Sequence, residues 1–418
     1  MNTFAKLAEE AGLTAADLGE LLSIPVERAS KYVDGEIQPS SREIHVLKGI
    51  ALASKADRTA ADRLNQDISL RNAQVSQSAS NRPSLAVPAK PLAAMKHPEI
   101  SMRPRKKTEN SFTTLELCAG GGGAALGLEQ AGFDPLALLD VDPHACATLR
   151  RNRPYWNVIQ ADMRRFDASY WHGADLLSGG LPCPPFSIAG KQLGADDDRD
   201  MFPSMLRIVK EIQPRAVLIE NVRGILTGKF APFREKVDAA LSKQGFETYW
   251  MGFNAAEFSV PQSRFRAFLI ALRRGETKPL RWPIPTLNTA PTVADAISDL
   301  MGARGWKQLS AWIKRANSPA PTIVGGSHKH GGPDLGPTRA RREWAELGVD
   351  GIGIADAPPP EDFDGTPRLT MRMVARLQSF PDEWIFSGSK THAYRQVGNA
   401  LPVRLAFAMA KAVKECLA

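Results

Sequence analysis

From residue 112 onward, apolar and polar positions fall into a repeating order of short apolar run, turn and amphipathic stretch. "FTTLELC" (112–118) reads as a strand, and "AGGGGAALGLEQAG" (119–132) as a glycine loop that opens a helix. "PLALLDVD" (135–142) is a second strand, followed by helical "PHACATLRRN" (143–152). "ADLLSGG" (174–180) and "RAVLIENV" (215–222) are further strands, with helical "MFPSMLRIVKEIQP" between them, and "RFRAFLIALRR" (264–274) is one more. Strands alternating with helices predict an α/β fold with a doubly wound, mainly parallel sheet. The rhythm breaks over 276–366, which is rich in Pro, Gly, Trp and basic residues and has little periodicity, so a loop-rich inserted domain is expected there. Helical pattern returns at "TMRMVARLQSF" (370–380) and "LPVRLAFAMAKAVKECL" (401–417), and "YRQVGNALP" is expected to open the last helix.

The chain before residue 112 is different. Residues 1–56 read as short helices, with Thr14 as one N-cap and Ser23 capping a next helix that opens at Pro25. Residues 57–110 turn to Pro, Ser and Ala, with a basic cluster at Arg103, Arg105, Lys106 and Lys107, and read as a linker. The expected organisation is a helical domain at 1–56, a linker at 57–110, a main domain at 111–275 and 390–418, and a small inserted domain at 276–389.

At 418 residues, two or three domains are expected. The net charge of +8 points toward a polyanionic partner, nucleic acid first. No apolar run reaches the roughly 18 residues of a membrane span, and the start "MNTFAKLAEEAGL" lacks a signal-peptide core, so a cytosolic location is expected. The cysteines Cys118, Cys146, Cys183 and Cys416 form no CxxC pair, and neither a metal site nor a disulfide framework is expected. His328 and His330 lack further ligands at useful spacing.

Gly120, Gly121, Gly122 and Gly123 sit between strand and helix, where glycine lets the backbone approach a ligand and leaves helix N–H groups free. Asp140 follows at the end of the second strand, where a carboxylate can accept hydrogen bonds from ribose hydroxyls. These features suit NAD, FAD or S-adenosylmethionine equally. No Gly-x-x-x-x-Gly-Lys-Ser/Thr stretch is present.

Four further stretches narrow the choice: "GGLPCPPFSIAGKQ" with Cys183, "LIENVRG" with Glu220, "SVPQSRFRAFLI" with Arg264 and Arg266 on alternate positions of a strand, and "YRQVGNALP" with Asn399. With the glycine loop, and in this order, they resemble the DNA (cytosine-5)-methyltransferases over roughly 112–275 and 366–418. The resemblance implies the S-adenosylmethionine-dependent methyltransferase fold. It implies Cys183 as thiolate nucleophile, Glu220 as the acid at cytosine N3, and Arg264 and Arg266 beside the target nucleotide. It implies a cofactor pocket of Leu117, Cys118, Ala119, Gly120 to Gly123, Asp140, Val141, Asp162, Met163 and Pro182, closed by Asn399 and Ala400. The family usually has Phe at the place of Cys118, Glu at that of Asp140 and Gln at that of Pro184. The inserted segment corresponds to the family's target-recognition domain, with "PAPTIVGG" as its landmark. Ser187, Gln192, Lys329, Arg339, Arg341 and Arg342 are then expected to contact double-stranded DNA.

The chemistry explains the residue types. Cytosine C5 is a poor nucleophile until a thiolate adds at C6, so the thiol pKa should fall below its free value of roughly 8.5. A carboxyl at the end of an apolar strand can be held neutral by desolvation, ready to share a proton with N3. The cytosine must leave the duplex stack. Residues 1–56, in "LGELLSIPVERASKYVDGEIQPS", resemble the lambda-repressor-like helix-turn-helix family, which implies promoter binding and autoregulation. Yet Lys6, Arg28, Lys31, Arg42, Lys48 and Lys55 face Glu9, Glu10, Asp17, Glu20, Glu27, Asp34, Glu36 and Glu43, an acidic excess. Three alternatives stay open: the same chemistry on tRNA, amino-group methylation through "CPPF", and a DNA-binding regulator with a degenerate methyltransferase fold. A cognate restriction endonuclease and monomeric action on DNA are further expectations.

Overall fold

The computed structural model describes residues 26–34, 36, 111–182, 201–285, 290–325 and 332–418. The chain divides into two units, Met1–Arg103 and Pro104–Ala418. In the first, helix α1 spans Val26–Asp34, within the expected second helix. Its Tyr32 is buried, and the Ser30 hydroxyl donates to Asp34 near its end. Thr14, Ser23, Pro25 and the basic cluster at 103–107 lie outside the described residues.

The second unit is built on a seven-stranded sheet. In chain order its elements are β1 (Phe112–Leu117), α2 (Gly123–Ala131), β2 (Phe133–Asp140), α3 (Pro143–Asn152), β3 (Val158–Gln160) and β4 (Leu176–Gly180). Then follow α4 (Phe202–Ile212), β5 (Ala216–Val222), α5 (Ala231–Lys243), β6 (Phe246–Asn254) and β7 (Phe265–Arg273). The strand order is β3-β2-β1-β4-β5-β7-β6. The first five strands are parallel, and β7 runs antiparallel to both neighbours. The sheet is therefore mixed and mostly parallel.

Neighbouring apolar residues on one strand serve opposite layers, as the period of two requires. Leu177, Ile219 and Leu269 join the core beneath α4 and α5, with Met205, Ile208 and Leu241. Leu176, Leu218 and Ile270 join the opposite layer, with Leu128 of α2 and helix α11 (Val403–Leu417) through Leu405, Met409 and Val413. Helix α3 starts where Pro143 and the Asp142 carboxylate, which accepts the His144 N–H at 2.8 Å, satisfy its first turn.

Most of the 276–366 segment is loop, as expected, but among its described residues stand the short helices α6 (Val293–Met301), α7 (Leu309–Arg315) and α8 (Thr338–Glu346). Helix α6 opens with a reciprocal capping box: the Asp295 N–H donates to Thr292 Oγ1 at 3.0 Å, and the Thr292 N–H to Asp295 Oδ2 at 2.8 Å. Trp312 and the fully buried Trp344 anchor α7 and α8 in a third core, which continues through α9 (Met371–Leu377) and α10 (Lys390–Asn399) to Leu149 of α3 and Leu138 of β2. "YRQVGN" closes α10 instead of opening the last helix, because Pro402 forces a break before α11. Among the described residues, no helix is long and apolar enough to cross a membrane.

Candidate active site

The parallel strands β1, β2, β4 and β5 all end on one edge of the sheet. Reversed β7 brings its first residues to that same edge, with Arg266 opposite Val222 in register. Glu220 at the end of β5 meets Arg266 there, Nε to Oε1 at 2.7 Å, both side chains mostly buried. Burial pulls Arg266 below the usual guanidinium range, and the Glu220 charge opposes that shift. The carboxyl expected at the end of this strand thus has a guanidinium beside it.

On the other side of Glu220, Gly180 closes β4 in direct register with it. A Cβ at Gly180 would stand 3.3 Å from Glu220 Oε2, so the β4 backbone passes against the carboxylate. Cys183 follows three residues later, a reach of about 10 Å at most for extended chain. Cys183, Ser187, Gln192 and Lys329 lie outside the described residues.

Arg264 does not share the position of Arg266. It precedes β7, is 1% exposed, and donates to the Ile323 carbonyl at 2.6 Å and the Gly398 carbonyl at 2.9 Å. Alternation predicted two guanidinium groups with one purpose. The structure gives one to the Glu220 carboxylate and the other to backbone carbonyls.

The glycine loop is shaped from both sides. A Cβ at Gly121 would lie 3.1 Å from Gln396 and Phe386, one at Gly122 2.8 Å from Trp384, and one at Gly123 2.2 Å from the Leu401 carbonyl. The Trp384 indole N–H also donates to the Gly121 carbonyl at 3.0 Å. These glycines admit the C-terminal segment. Gly120 differs: its φ is +53°, and a Cβ there would meet only the Cys118 carbonyl, at 3.9 Å. Its outer face is the open one. Ala119 is buried, with its N–H on the Leu139 carbonyl at 3.0 Å.

Asp140 reaches the loop directly. Its Oδ2 accepts the Gly120 N–H at 2.7 Å and its Oδ1 the Asp142 N–H at 2.8 Å. Each carboxylate oxygen retains acceptor capacity for a hydroxyl. Burial raises the Asp140 pKa despite these bonds. Val141 beside it is 65% exposed, an apolar surface at the mouth. Asp162 is held by Arg164 at 2.6 Å, which keeps its carboxyl below the usual range, and Met163 is buried with Leu117. Cys118 takes a left-handed φ of 53° and points its thiol at the Met163 sulfur, 3.5 Å away. Burial first, then the charges of Asp140, Asp162 and Glu116, push that thiol pKa far up, so it stays protonated. Asn399 is exposed and Ala400 buried, directly after Gly398; Pro182 is exposed at the end of β4.

Glu116 was not singled out by sequence reasoning, although an acid inside apolar "TTLELC" is a signal. It is 1% exposed, accepts the Ala125 N–H in the first turn of α2, and leaves Oε2 without a hydrogen-bond partner. Burial raises its pKa to about 8. Gln262 within "SVPQSRFRAFLI", together with Gln378 and Trp384, is a structural partner to which the motif reading assigned no role of its own. An open Gly120 face, an exposed apolar Val141 and the carboxyl groups of Asp140 and Asp162 fit a nucleoside bearing a cationic sulfonium and an ammonium group.

In the insert, Arg339 and Arg342 are exposed on α8, and Arg339 pairs with its helix neighbour Glu343, at 3.2 Å. Arg341 is partly exposed: its Nε donates to the Gly336 carbonyl at 2.8 Å, and it approaches Asp334 at 3.4 Å, which braces that loop. Cys146 and Cys416 are buried core residues, with the Cys146 thiol pKa pushed up to about 12 by burial. Among the described residues, no group of three or more potential ligands could hold a metal ion.

Residues 112–415 match the family model described as C-5 cytosine-specific DNA methylase. The chain is 50% identical over 315 residues to a type II methyltransferase, M.NaeI, of Lentzea aerocolonigenes, covering 73% of this chain and 76% of that one. It is 44% identical over 309 residues to the type II methyltransferase M.NgoMIV of Neisseria gonorrhoeae, covering 73% and 98%. Among solved structures, a DNA modification methyltransferase encoded within an E. coli prophage superposes with a TM-score of 0.53 at 23% identity, over 73% of this chain and 99% of that one. The Dnmt2 methyltransferase of S. pombe superposes with a TM-score of 0.50 at 19% identity, over 72% and 98%. These two likenesses concern the fold.

Proposed function

Because the chain belongs to the C-5 cytosine-specific DNA methylase family, and transfers methyl groups from S-adenosylmethionine to cytosine C5 in DNA, we propose how its own residues do so. Cys183, as thiolate, adds to C6 of a cytosine flipped out of the duplex, which turns C5 into an enamine carbon. Glu220, paired with Arg266 before the base enters, takes up a proton as it engages the N3 edge, passes it to N3 as the ring accepts the sulfur, and recovers it when the sulfur leaves. S-adenosylmethionine supplies the electrophilic methyl group at C5. A base then removes the C5 proton, and the returning electron pair expels the Cys183 sulfur.

Arg266 orients Glu220 and places positive charge on the strand edge from which the Cys183 loop leaves, which favours the thiolate. The observation that carries this reading is the register Gly180 to Glu220 together with the Glu220–Arg266 pair. It fixes the acid beside the root of the nucleophile loop. Gly120, Asp140, Val141, Asp162 and Met163 hold the cofactor, and Asn399 and Ala400 close over it.

The same reading assigns 276–389 to target recognition, with Arg339 and Arg342 on phosphates, and 111–275 with 390–418 to catalysis. Residues 1–56 serve as a regulatory helix-turn-helix beyond a 57–110 linker. The enzyme acts as a monomer on duplex DNA. It works in the bacterial cytosol beside a cognate restriction endonuclease, a reading that the type II names and bacterial sources of its relatives support. Bisulfite sequencing of DNA from cells expressing the protein tests the reading. Protected cytosines at one recurring duplex sequence are expected. Unprotected DNA alongside methylated tRNA would overturn it.

A further inference from the structure

The partners of Arg264 raise a question that the reaction leaves unanswered. Its guanidinium is wholly buried, yet it binds two backbone carbonyls far apart in sequence, Ile323 at 2.6 Å and Gly398 at 2.9 Å. Its Nε has no hydrogen-bond partner. Burying a charged donor is costly unless it is paired and fully hydrogen-bonded, and here the two carbonyls are what the guanidinium holds.

Both carbonyls belong to segments with opposite duties. Ile323 stands in the insert, two residues before Gly325 and the glycine stretch that follows. Gly398 stands directly before Asn399 and Ala400. The two backbones also touch. A Cβ at Gly398 would lie 2.4 Å from the Gly325 nitrogen, and one at Gly325 would lie 2.5 Å from the Arg395 carbonyl and 2.6 Å from Asn399 Oδ1. Gln262, two residues before Arg264, completes the clasp. Its Oε1 accepts the Ile323 N–H at 3.0 Å, and its Nε2 donates to Gln378 Oε1 at 3.1 Å. Gln378 in turn donates to the Val397 carbonyl at 2.9 Å. Ile323 is thus held at both backbone polar groups by a network that also holds 397–398.

We infer that Arg264 is a positioning residue that couples the DNA-reading insert to the closing edge of the cofactor pocket, through the Ile323 and Gly398 carbonyls and the Gly325–Gly398 crossing. The inference rests on the proposed roles of the insert and of Asn399 and Ala400. Docking of the insert on duplex DNA then fixes Ile323, and through Arg264 it fixes the 398–400 turn over the cofactor. The coupling is reciprocal, so DNA tightens cofactor binding by the factor by which cofactor tightens DNA binding.

The test uses full-length protein, S-adenosylhomocysteine as the titrated probe, and an unmethylated duplex carrying the sequence that the wild type methylates. For wild type, the duplex should tighten S-adenosylhomocysteine binding by about fivefold or more, within the usual range of coupling. In Arg264→Lys, which retains a charge but loses the fork to two carbonyls, the tightening should drop below about twofold. KM for S-adenosylmethionine at saturating DNA should rise by a larger factor than kcat falls. Gly325→Ala leaves Arg264 in place but forces the crossing apart, and should lose the tightening as well; it decides the matter if Arg264→Lys does not fold. Undiminished tightening in either folded variant would overturn the inference. So would a fall in kcat of about 100-fold with unchanged KM in Arg264→Lys, which would put Arg264 on the reacting base. A wild type that methylates the duplex yet binds the probe equally with and without DNA would refute the coupling alone. A wild type that neither binds the probe nor methylates DNA would refute the underlying functional reading.

Discussion

Glu220 lies where a parallel and an antiparallel strand meet, and its surroundings separate two arginines that look equivalent in sequence. Glu220→Gln keeps the shape but loses the proton carrier and the charge that holds Arg266. Methyl transfer, measured with labelled S-adenosylmethionine, should fall by roughly 10² to 10⁴, the usual contribution of general acid catalysis. Sequence put Glu220 near the end of an apolar strand, and β5 carries it to the edge that Arg266 reaches. Sequence did not separate Arg264 from Arg266, because alternation specifies a face and not a partner; the carbonyls of Ile323 and Gly398 arrive from distant segments. Glu116 carries a pH prediction. Burial raises its pKa from 4.5 to about 8, so the folded state holds a proton that the unfolded chain releases above 4.5. Stability from this group should therefore fall as pH rises from 4.5 to 8 and level off above that. Asp140, also raised, acts in the same direction. Thermal unfolding across this range should show a smaller decline for Glu116→Gln than for wild type. An equal decline would remove Glu116 from the account.

The glycine loop shows how one element answers two demands. Its position and its helix were legible from four glycines after an apolar strand. Its internal partners were not, since Trp384, Gln396 and Leu401 come from the far end of the chain. Gly123→Ala should lower the melting temperature markedly, because its Cβ would sit 2.2 Å from the Leu401 carbonyl. Gly120→Ala faces open space and bears only the left-handed backbone penalty of about 1 to 2 kcal/mol. Its larger effect should be on S-adenosylmethionine affinity, read by calorimetry. The reverse ranking would mean that the open face is not the ligand side. Helix α8 divides in the same way. Arg339→Glu with Arg342→Glu should weaken DNA binding and flatten its salt dependence by about one unit of slope per lost phosphate contact. Arg341→Ala should instead lower thermal stability.

At the scale of the molecule, the sheet was readable because its strands are continuous apolar runs buried on both faces. The antiparallel edge was not, since reversal of β7 depends on β6, whose "FETYWMGFN" mixes polar and aromatic positions. The insert looked irregular because its helices are short, yet "TVADAISDLM" carries a capping box that marks α6. Its core runs without a break into α3 and α10, so the insert and the helices beside the glycine loop share one packed cluster. That continuity gives the Arg264 clasp its mechanical meaning. Two atoms define the reaction: the DNA carbon that receives the methyl group and the sulfur that enables the transfer. Both are decided by mass spectrometry of nucleosides from the DNA of a host lacking its own cytosine methylation, expressing wild type or Cys183→Ser. Wild type should give 5-methyldeoxycytidine, and Cys183→Ser none. N4-methyldeoxycytidine, or 5-methyldeoxycytidine undiminished by the substitution, would contradict a Cys183 thiolate mechanism at C5.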